Sequence, residues 1–223
     1  MIKACIFDLD GTLAYTLDSM AVVGNEVVRK YGLKPMPIEN YRYYCGNGAD
    51  MLVKRLLVDA GDPELLHYEE ARALYRKEFD KDPFYKIQHY PGMPETLKEL
   101  KKRGVKLGVC SNKPHEAAVK VVERMFGSQI FDAVMGQSDS VRKKPAPDGP
   151  LKIAEQFGIK PEVIEHLSKP PIDIIPANIS LAGADLEMVQ FEAGKEELLK
   201  NGADYLVDSP EDILDLYEEK CEE

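Results

Sequence analysis

The distribution of apolar and polar positions along the chain predicts parallel strands that alternate with helices. Residues 2–7 form a short apolar run that stops at a polar turn, which is typical of a buried parallel strand. Residues 105–110 form a second such run and 131–135 a third. Helical spacing of apolar residues separates them, at 94–103 and again at 118–125. This order predicts an α/β fold with a Rossmann-like parallel sheet as its core.

The stretch from residue 16 to residue 84 has a different pattern. Its apolar residues recur at helical spacing, for example at Met20, Val23 and Val27, and glycines and prolines interrupt them. No convincing strand is predicted within it. We therefore expect a helical domain at 16–84, inserted into a core domain made of residues 1–15 and 85–223.

The last part of the chain continues the alternation of helices and strands. A helix is expected at 151–157, closed by Gly158, and a strand at 205–207. The segment Ser209-Pro210-Glu211-Asp212 predicts the start of a final helix. It combines a capping side chain, a proline in the first turn and acids that complement the helix dipole.

Composition narrows the class of protein without changing the predicted fold. The 223 residues are 44% hydrophobic and 30% charged, which suits one sizeable core with a small satellite. The formal net charge of −10 argues against nucleic acid as a partner, since nucleic-acid binders usually carry a basic face. The sequence has no apolar stretch of about 18 residues, and acids follow its first apolar residues too soon for a signal peptide. We expect a cytoplasmic protein without a membrane partner.

The cysteines are expected to be structural. Cys5, Cys45, Cys110 and Cys221 lack the paired spacing of a metal site. Because Cys5 and Cys110 lie in apolar runs, we predict buried free thiols there and no disulfides.

Two acids, Asp8 and Asp10, follow the first predicted strand. Side chains alternate along an extended chain, but a turn at Gly11 lets both carboxylates converge on one pocket. A carboxylate held beside Mg²⁺ is a competent nucleophile toward phosphorus, and the second acid can move the proton. The alternative is a solvated turn, because Asp and Gly are common turn residues.

Polar and basic residues follow the second and third predicted strands as well. Ser111 and Asn112 offer a hydroxyl and an amide to phosphoryl oxygens, although a plain helix cap explains the same pair. Lys144 is suited to neutralise charge on a transferring phosphoryl group, whereas a lone lysine is usually only solvated. Since each position follows a parallel strand, we expect all of them at one edge of the sheet.

Three segments resemble the first three motifs of the haloacid dehalogenase superfamily, in its phosphoglycolate phosphatase-like branch. They are Asp8-Leu9-Asp10-Gly11-Thr12-Leu13, Cys110-Ser111-Asn112-Lys113-Pro114 and Lys144-Pro145-Ala146-Pro147-Asp148. The resemblance covers nearly the whole chain, with the helical insert in the position of that branch's cap. It implies Mg²⁺ as the cofactor.

The resemblance also implies a role for each matching residue. Asp8 would be the nucleophile and a metal ligand, and Asp10 the general acid/base, with its backbone carbonyl on the metal. Thr12 would support the motif loop, and Ser111 and Asn112 would bind the phosphoryl group. Lys144 would hold Asp8 and the phosphate in place. The cap would close over the substrate with loop 46–48 at the mouth, although such a loop is more often a plain turn.

The fourth motif of the superfamily is an apolar strand followed by Gly-Asp-Ser or Gly-Asp-Thr and a second Asp, and it is not intact here. Its spacing from the third motif puts Lys169 at the first acid and leaves Asp173 as the remaining metal ligand. This register ends the strand before residue 168 and puts Pro176 inside the following helix, at a cost of about 3 kcal/mol. A rival placement at Asp185 leaves little room for the elements that should follow.

A lysine at position 169 that points into the site would pair with Asp8 and compete with the cation. The residues and the resemblance together imply a Mg²⁺-dependent phosphatase that hydrolyses a small phosphomonoester similar to phosphoglycolate through an aspartyl-phosphate. A Lys169 that faces the site would impair this activity. The alternative is a relative that binds an anionic metabolite or a protein without turnover. Phosphosugar mutation would need cap contacts that the sequence does not identify, and dehalogenation has no role for Asp10. We expect a monomer or homodimer.

Overall fold

Strands and helices alternate through the part of the chain that the structure describes. The computed structural model describes residues 3–82, 84–144, 146–159, 174–177 and 209–222, with the backbone alone at 174–177 and 220–222. The strands are β1 (Ala4–Phe7), β2 (Ala14–Tyr15), β3 (Gln88–His89), β4 (Lys106–Pro114), β5 (Ala133–Gln137) and β6 (Ile174–Ala177). The helices are α1 (Leu17–Lys30), α2 (Tyr41–Tyr44), α3 (Ala49–Ala60), α4 (Tyr68–Phe79), α5 (Met93–Lys102), α6 (His115–Phe126), α7 (Asp148–Phe157) and α8 (Asp212–Glu222), with a 3₁₀ turn at Ile38–Asn40.

Four strands form a parallel sheet in the order β5-β4-β1-β6. Alternate residues of β1 face opposite layers: Cys5 and Phe7 pack with α5 and α6, whereas Ala4 and Ile6 pack with α7. Because both faces are covered, the whole strand is apolar. The predicted α/β fold with a Rossmann-like parallel sheet is confirmed.

Helices α1 to α4, which we call the cap segment, lie between β2 and β3 and bury an apolar cluster of their own. Its members include Val27, Tyr41, Leu56 and Tyr75. The strands β2 and β3 pair antiparallel over two residues where the chain enters and leaves this segment. Within 16–84, the described residues form helices and no strand, as predicted. The domain boundaries at 15/16 and 84/85 stay a prediction.

The strand beside β1 lies later in the chain than expected. We predicted that it ends before residue 168 and that Pro176 falls in a helix, but Pro176 lies in β6. Within the described sheet, β6 pairs with β1 alone, and an edge strand tolerates a residue that cannot donate a hydrogen bond. The strand thus ends after Asp173, which removes the spacing argument for that ligand. Asp173, Lys169 and Asp185 themselves lie outside the described residues.

Several local predictions are confirmed, with shifted ends. The helix expected at 151–157 is the later part of α7, and Gly158 follows it with φ 70°. The expected start of α8 is a capping box: the amide of Asp212 donates to the Ser209 hydroxyl, and the amide of Ser209 donates to the Asp212 carboxylate. The strand expected at 205–207 lies outside the described part.

The structure describes the side chains of three of the four cysteines and the helices of the described ranges. Cys5, Cys45 and Cys110 are buried thiols, as predicted for Cys5 and Cys110. Every helix in the described ranges is too short or too polar to cross a membrane.

Candidate active site

Asp8 and Asp10 come directly after β1, where the sheet order reverses. Gly11 has φ 84°, a backbone conformation that residues with a side chain rarely adopt. The amides of Leu13 and Ala14 both donate to the carbonyl of Leu9, which closes a tight turn. As expected, the turn brings both carboxylates to one cavity, at the point where open α/β sheets bind ligands.

Lys144 is a direct partner of Asp8. Its Nζ lies 2.9 Å from Oδ1, and the Leu9 amide donates to the same oxygen at 2.7 Å. Burial raises the pKa of the Asp8 carboxyl above its ordinary value, and Asp10 adds to the rise, while Lys144 and the Leu9 amide oppose it. The Asp8 carboxyl is therefore buried, and Lys144 fixes its orientation. This arrangement is suited to covalent catalysis.

Asp10 has its own buried lysine. Lys113 Nζ lies 2.9 Å from Oδ1 and 3.2 Å from Oδ2 of Asp10, and its side chain is 5% exposed. The same ammonium lies 5.1 Å from the centre of the Phe79 ring, on helix α4 of the cap segment. Sequence reasoning missed Lys113, although it directly follows the Ser111-Asn112 pair.

An irregularity in β4 explains how three consecutive residues of that strand reach the site. From Cys110 to Pro114 the strand advances four residues, while its partner β5 advances only from Met135 to Gln137. The surplus residues bulge out of the ladder, which re-aims their side chains. Ser111, Asn112 and Lys113 are all buried and line the cavity.

The side-chain amide of Asn112 forms hydrogen bonds with backbone groups. Its oxygen accepts from the Lys144 amide at 2.7 Å, and its nitrogen donates to the carbonyls of Gly46 at 2.7 Å and Lys144 at 3.3 Å. In this arrangement Asn112 holds the Lys144 loop and the loop at 46–48 in place. Its predicted contact with a phosphoryl group remains a prediction.

A cavity of about 620 Å³ lies between this edge of the sheet and the cap segment. Gly46 and Gly48 line it, as expected for a cap loop at the mouth, and Leu17, Met20 and Phe79 form an apolar wall. Lys143, beside the catalytic candidate Lys144, donates to the carbonyl of Asn47 at 3.3 Å. The cap segment is thus tied to the sheet through this loop.

The structure brings most of the predicted site residues together. Asp8, Asp10, Ser111 and Asn112 face the cavity, and Lys144 lies against Asp8. Thr12 lies in the turn, where its amide donates weakly to the carbonyl of Leu9, and it is not among the residues lining the cavity. Its side-chain role stays a prediction.

The donors at this edge suit Mg²⁺. The ion prefers hard oxygen ligands and is often held by one or two carboxylates together with water and substrate phosphate. Asp8 and Asp10 supply such oxygens at the end of one strand. Within the described ranges, no group of three or more acidic, histidine or cysteine side chains is placed to bind a metal. The resemblance implies that Asp8 and the backbone carbonyl of Asp10 would hold the ion, and this assignment stays a prediction.

The chain is similar in sequence to known hydrolases. The family profile of the haloacid dehalogenase-like hydrolases matches residues 5–176. A phosphoglycolate phosphatase from Aquifex aeolicus is 32% identical over 160 residues, 72% of each chain. One from Vibrio vulnificus is 31% identical over 221 residues, 96% of each chain.

Solved structures have the same fold. A predicted phosphoglycolate phosphatase from Haemophilus somnus superposes with a TM-score of 0.79 at 21% identity, over 97% of this chain and 98% of that one. CbbY from Rhodobacter sphaeroides, solved in complex with phosphate, has a TM-score of 0.67 at 23% identity, covering 94% and 95%.

The chain belongs to the haloacid dehalogenase-like hydrolase family. Within that family it falls in the phosphoglycolate phosphatase-like branch and is a phosphatase.

Proposed function

We propose that this phosphatase is Mg²⁺-dependent and hydrolyses a small phosphomonoester of the phosphoglycolate type through an aspartyl-phosphate on Asp8. One observation carries the proposal: two neighbouring acids, each paired with a buried lysine, face one cavity. A relative named phosphoglycolate phosphatase that aligns with 96% of this chain supports the substrate class.

In the first step, an oxygen of Asp8 attacks phosphorus and the bond to the leaving oxygen breaks. Asp10 gives its proton to that oxygen, so the product leaves as an alcohol. Lys144 and the Ser111 hydroxyl stabilise the negative charge on the transferring group. When bound, Mg²⁺ would neutralise phosphoryl charge and hold the ester in line with Asp8.

In the second step, Asp10 takes a proton from a water molecule that attacks the aspartyl-phosphate, and phosphate departs as Asp8 is restored. The cap segment limits access of bulk water to the cavity during attack. The proton moved by Asp10 is thus returned within one turnover.

The decisive experiment is hydrolysis of phosphoglycolate and an aryl phosphate with and without Mg²⁺. We expect turnover only with the metal and a loss of at least about 10³-fold in Asp8→Asn, since the nucleophile is removed. Asp139→Asn, at an exposed acid that also lines the cavity, is the control and should retain activity.

Trapping with beryllium trifluoride and Mg²⁺ should place the mimic on Asp8. Hydrolysis that survives Asp8→Asn, or saturating mimic that leaves Asp8 unmodified, would contradict the mechanism. A folded protein that binds phosphate esters without turnover would favour the non-catalytic alternative.

A further inference from the structure

We infer that Lys113 is a specificity-determining residue that binds a carboxylate on the leaving group of the substrate. The inference deepens the proposed function and rests on it, because it places the leaving oxygen beside Asp10. Its basis is the position of the Lys113 ammonium, at the junction of Asp10, the cavity and the cap segment.

Among the described cations that line the cavity, Lys113 is the buried one. Arg76 is 55% exposed and lies 2.6 Å from Asp50, and Lys120 is exposed. The Lys113 side chain is 5% exposed and is fixed between Asp10 and the Phe79 ring. A desolvated, positioned ammonium binds an anion far more strongly than a solvated one.

The ammonium has donor capacity for a ligand. It carries three N–H groups, and in the described residues its hydrogen bonds go to the two oxygens of Asp10. A further N–H is therefore left for a ligand in the cavity that Lys113 lines. Asp10 is proposed to reach the leaving oxygen by a hydrogen bond of about 3 Å. A carboxylate on the carbon attached to that oxygen then comes within contact distance of Nζ.

The other charged residues that line the cavity are mainly acidic, so a leaving group that carries a carboxylate needs this cation nearby. Acids line the cavity at Asp80, Glu116 and Asp139 in addition to the two catalytic candidates. They would repel a second anionic group on the substrate. Lys144 contacts Asp8, whereas Lys113 contacts Asp10, the acid proposed to lie beside the leaving oxygen. Lys113 is therefore the lysine placed to compensate a carboxylate near that oxygen.

Binding of unreactive analogues tests the inference separately from turnover. The probes are the phosphonate in which a methylene replaces the ester oxygen of phosphoglycolate and the amide of that phosphonate, each titrated by calorimetry with Mg²⁺. We expect the parent protein to bind the carboxylate about 10- to 100-fold more tightly than the amide. Lys113→Met should reduce this ratio to near one, and Lys113→Arg should retain most of it.

Comparing the two ligands in one variant cancels any loss that comes from a displaced Asp10. Lys120→Met, at an exposed lysine of the same cavity, is the matched control and should keep the ratio. Thermal unfolding verifies that each variant is folded.

The inference is overturned if Lys113→Met loses affinity equally for both probes. It is also overturned if the parent protein binds the carboxylate no more tightly than the amide, or binds neither probe. Turnover of an aryl phosphate reports on the proposed function independently. A preference that depends on Lys113 without hydrolysis would contradict the phosphatase mechanism while supporting the role of Lys113.

Discussion

Gly136 in β5 shows how closely single residues fit around the site. A Cβ atom at this position would lie 2.5 Å from Cα of His115 and 2.7 Å from the carbonyl oxygen of Lys113. Both neighbours are backbone atoms at the end of the β4 bulge, so neither can rotate away. The missing side chain lets β5 close against the segment that carries Ser111 and Lys113.

Gly136→Ala should therefore displace the bulge. We expect a loss of about 1–3 kcal/mol in the free energy of unfolding and a fall in kcat of at least about tenfold, because small displacements of catalytic groups are costly. Gly32→Ala is the control: it adds a methyl group in open space at φ 70°, with a strain of about 1 kcal/mol and no effect on kcat. Denaturant unfolding and phosphate release measure both, and an unchanged kcat in Gly136→Ala would show that this contact does not set the bulge.

At the scale of elements, an ion pair closes the loop between β5 and α7. Arg142 donates from its backbone amide and Nε to Oδ2 of Asp148, at 3.1 and 2.8 Å, and from Nη2 to Oδ1 at 2.7 Å. The hydrogen bonds from Arg142 lower the pKa of Asp148 to about 2. The clamp spans the part of the loop that holds Lys144 against Asp8.

Asp148→Asn should weaken this clamp and lower kcat several-fold, by about 2- to 10-fold, because Lys144 is held less firmly. The pKa of Asp148 is lower in the folded state than its unfolded value of about 3.9. The stability that the carboxylate contributes is thus complete above about pH 4 and is lost as the pH falls toward about 2.

Unfolding free energies of the parent protein and Asp148→Asn should accordingly differ near neutral pH and converge near pH 2. Glu69→Gln breaks an exposed ion pair with Arg72 in the cap segment and should leave kcat unchanged. A difference that grows as the pH falls would contradict the assigned clamp.

The elements differ in how far the sequence could predict them. Apolar periodicity was sufficient for β1, α5 and α6, because burial dominates those segments. Motif spacing misplaced β6, and the resulting register put Pro176 in a helix. Spacing does not reveal that Pro176 lies in a strand that, within the described sheet, pairs with β1 alone. The role of Lys113 was not predicted, because its partner Asp10 is distant in the chain. The spacing of residues along the sequence carries no information about such pairs.

At the scale of the whole molecule, two hydrogen bonds connect the cap loop with the sheet edge. Asn112 donates to the carbonyl of Gly46, and Lys143 donates to the carbonyl of Asn47. Both donors neighbour groups that we propose act on the phosphoryl group. We therefore expect closure of the cap segment to be coupled to the arrangement of the catalytic loops.

Lys143→Met should weaken this connection and raise KM for phosphoglycolate about 3- to 10-fold, as expected for the loss of one charge-assisted hydrogen bond. Amide exchange at residues 46–48 should become faster, because the loop opens more often. Lys152→Met removes a comparable surface contact, to the carbonyl of Ser140, and should change neither quantity. Unaltered exchange in Lys143→Met would show that the lysine does not hold the loop.

The antiparallel pairing of β2 with β3 has a consequence for the diversification of such enzymes. It places the two points where the chain enters and leaves the inserted segment only one strand spacing apart, about 5 Å. Closing a loop between fixed ends depends weakly on its length, so inserts of other sizes fit the same anchor points without stretching the sheet. New substrate preferences can accordingly arise by exchanging the insert, while the reactive acids keep their positions.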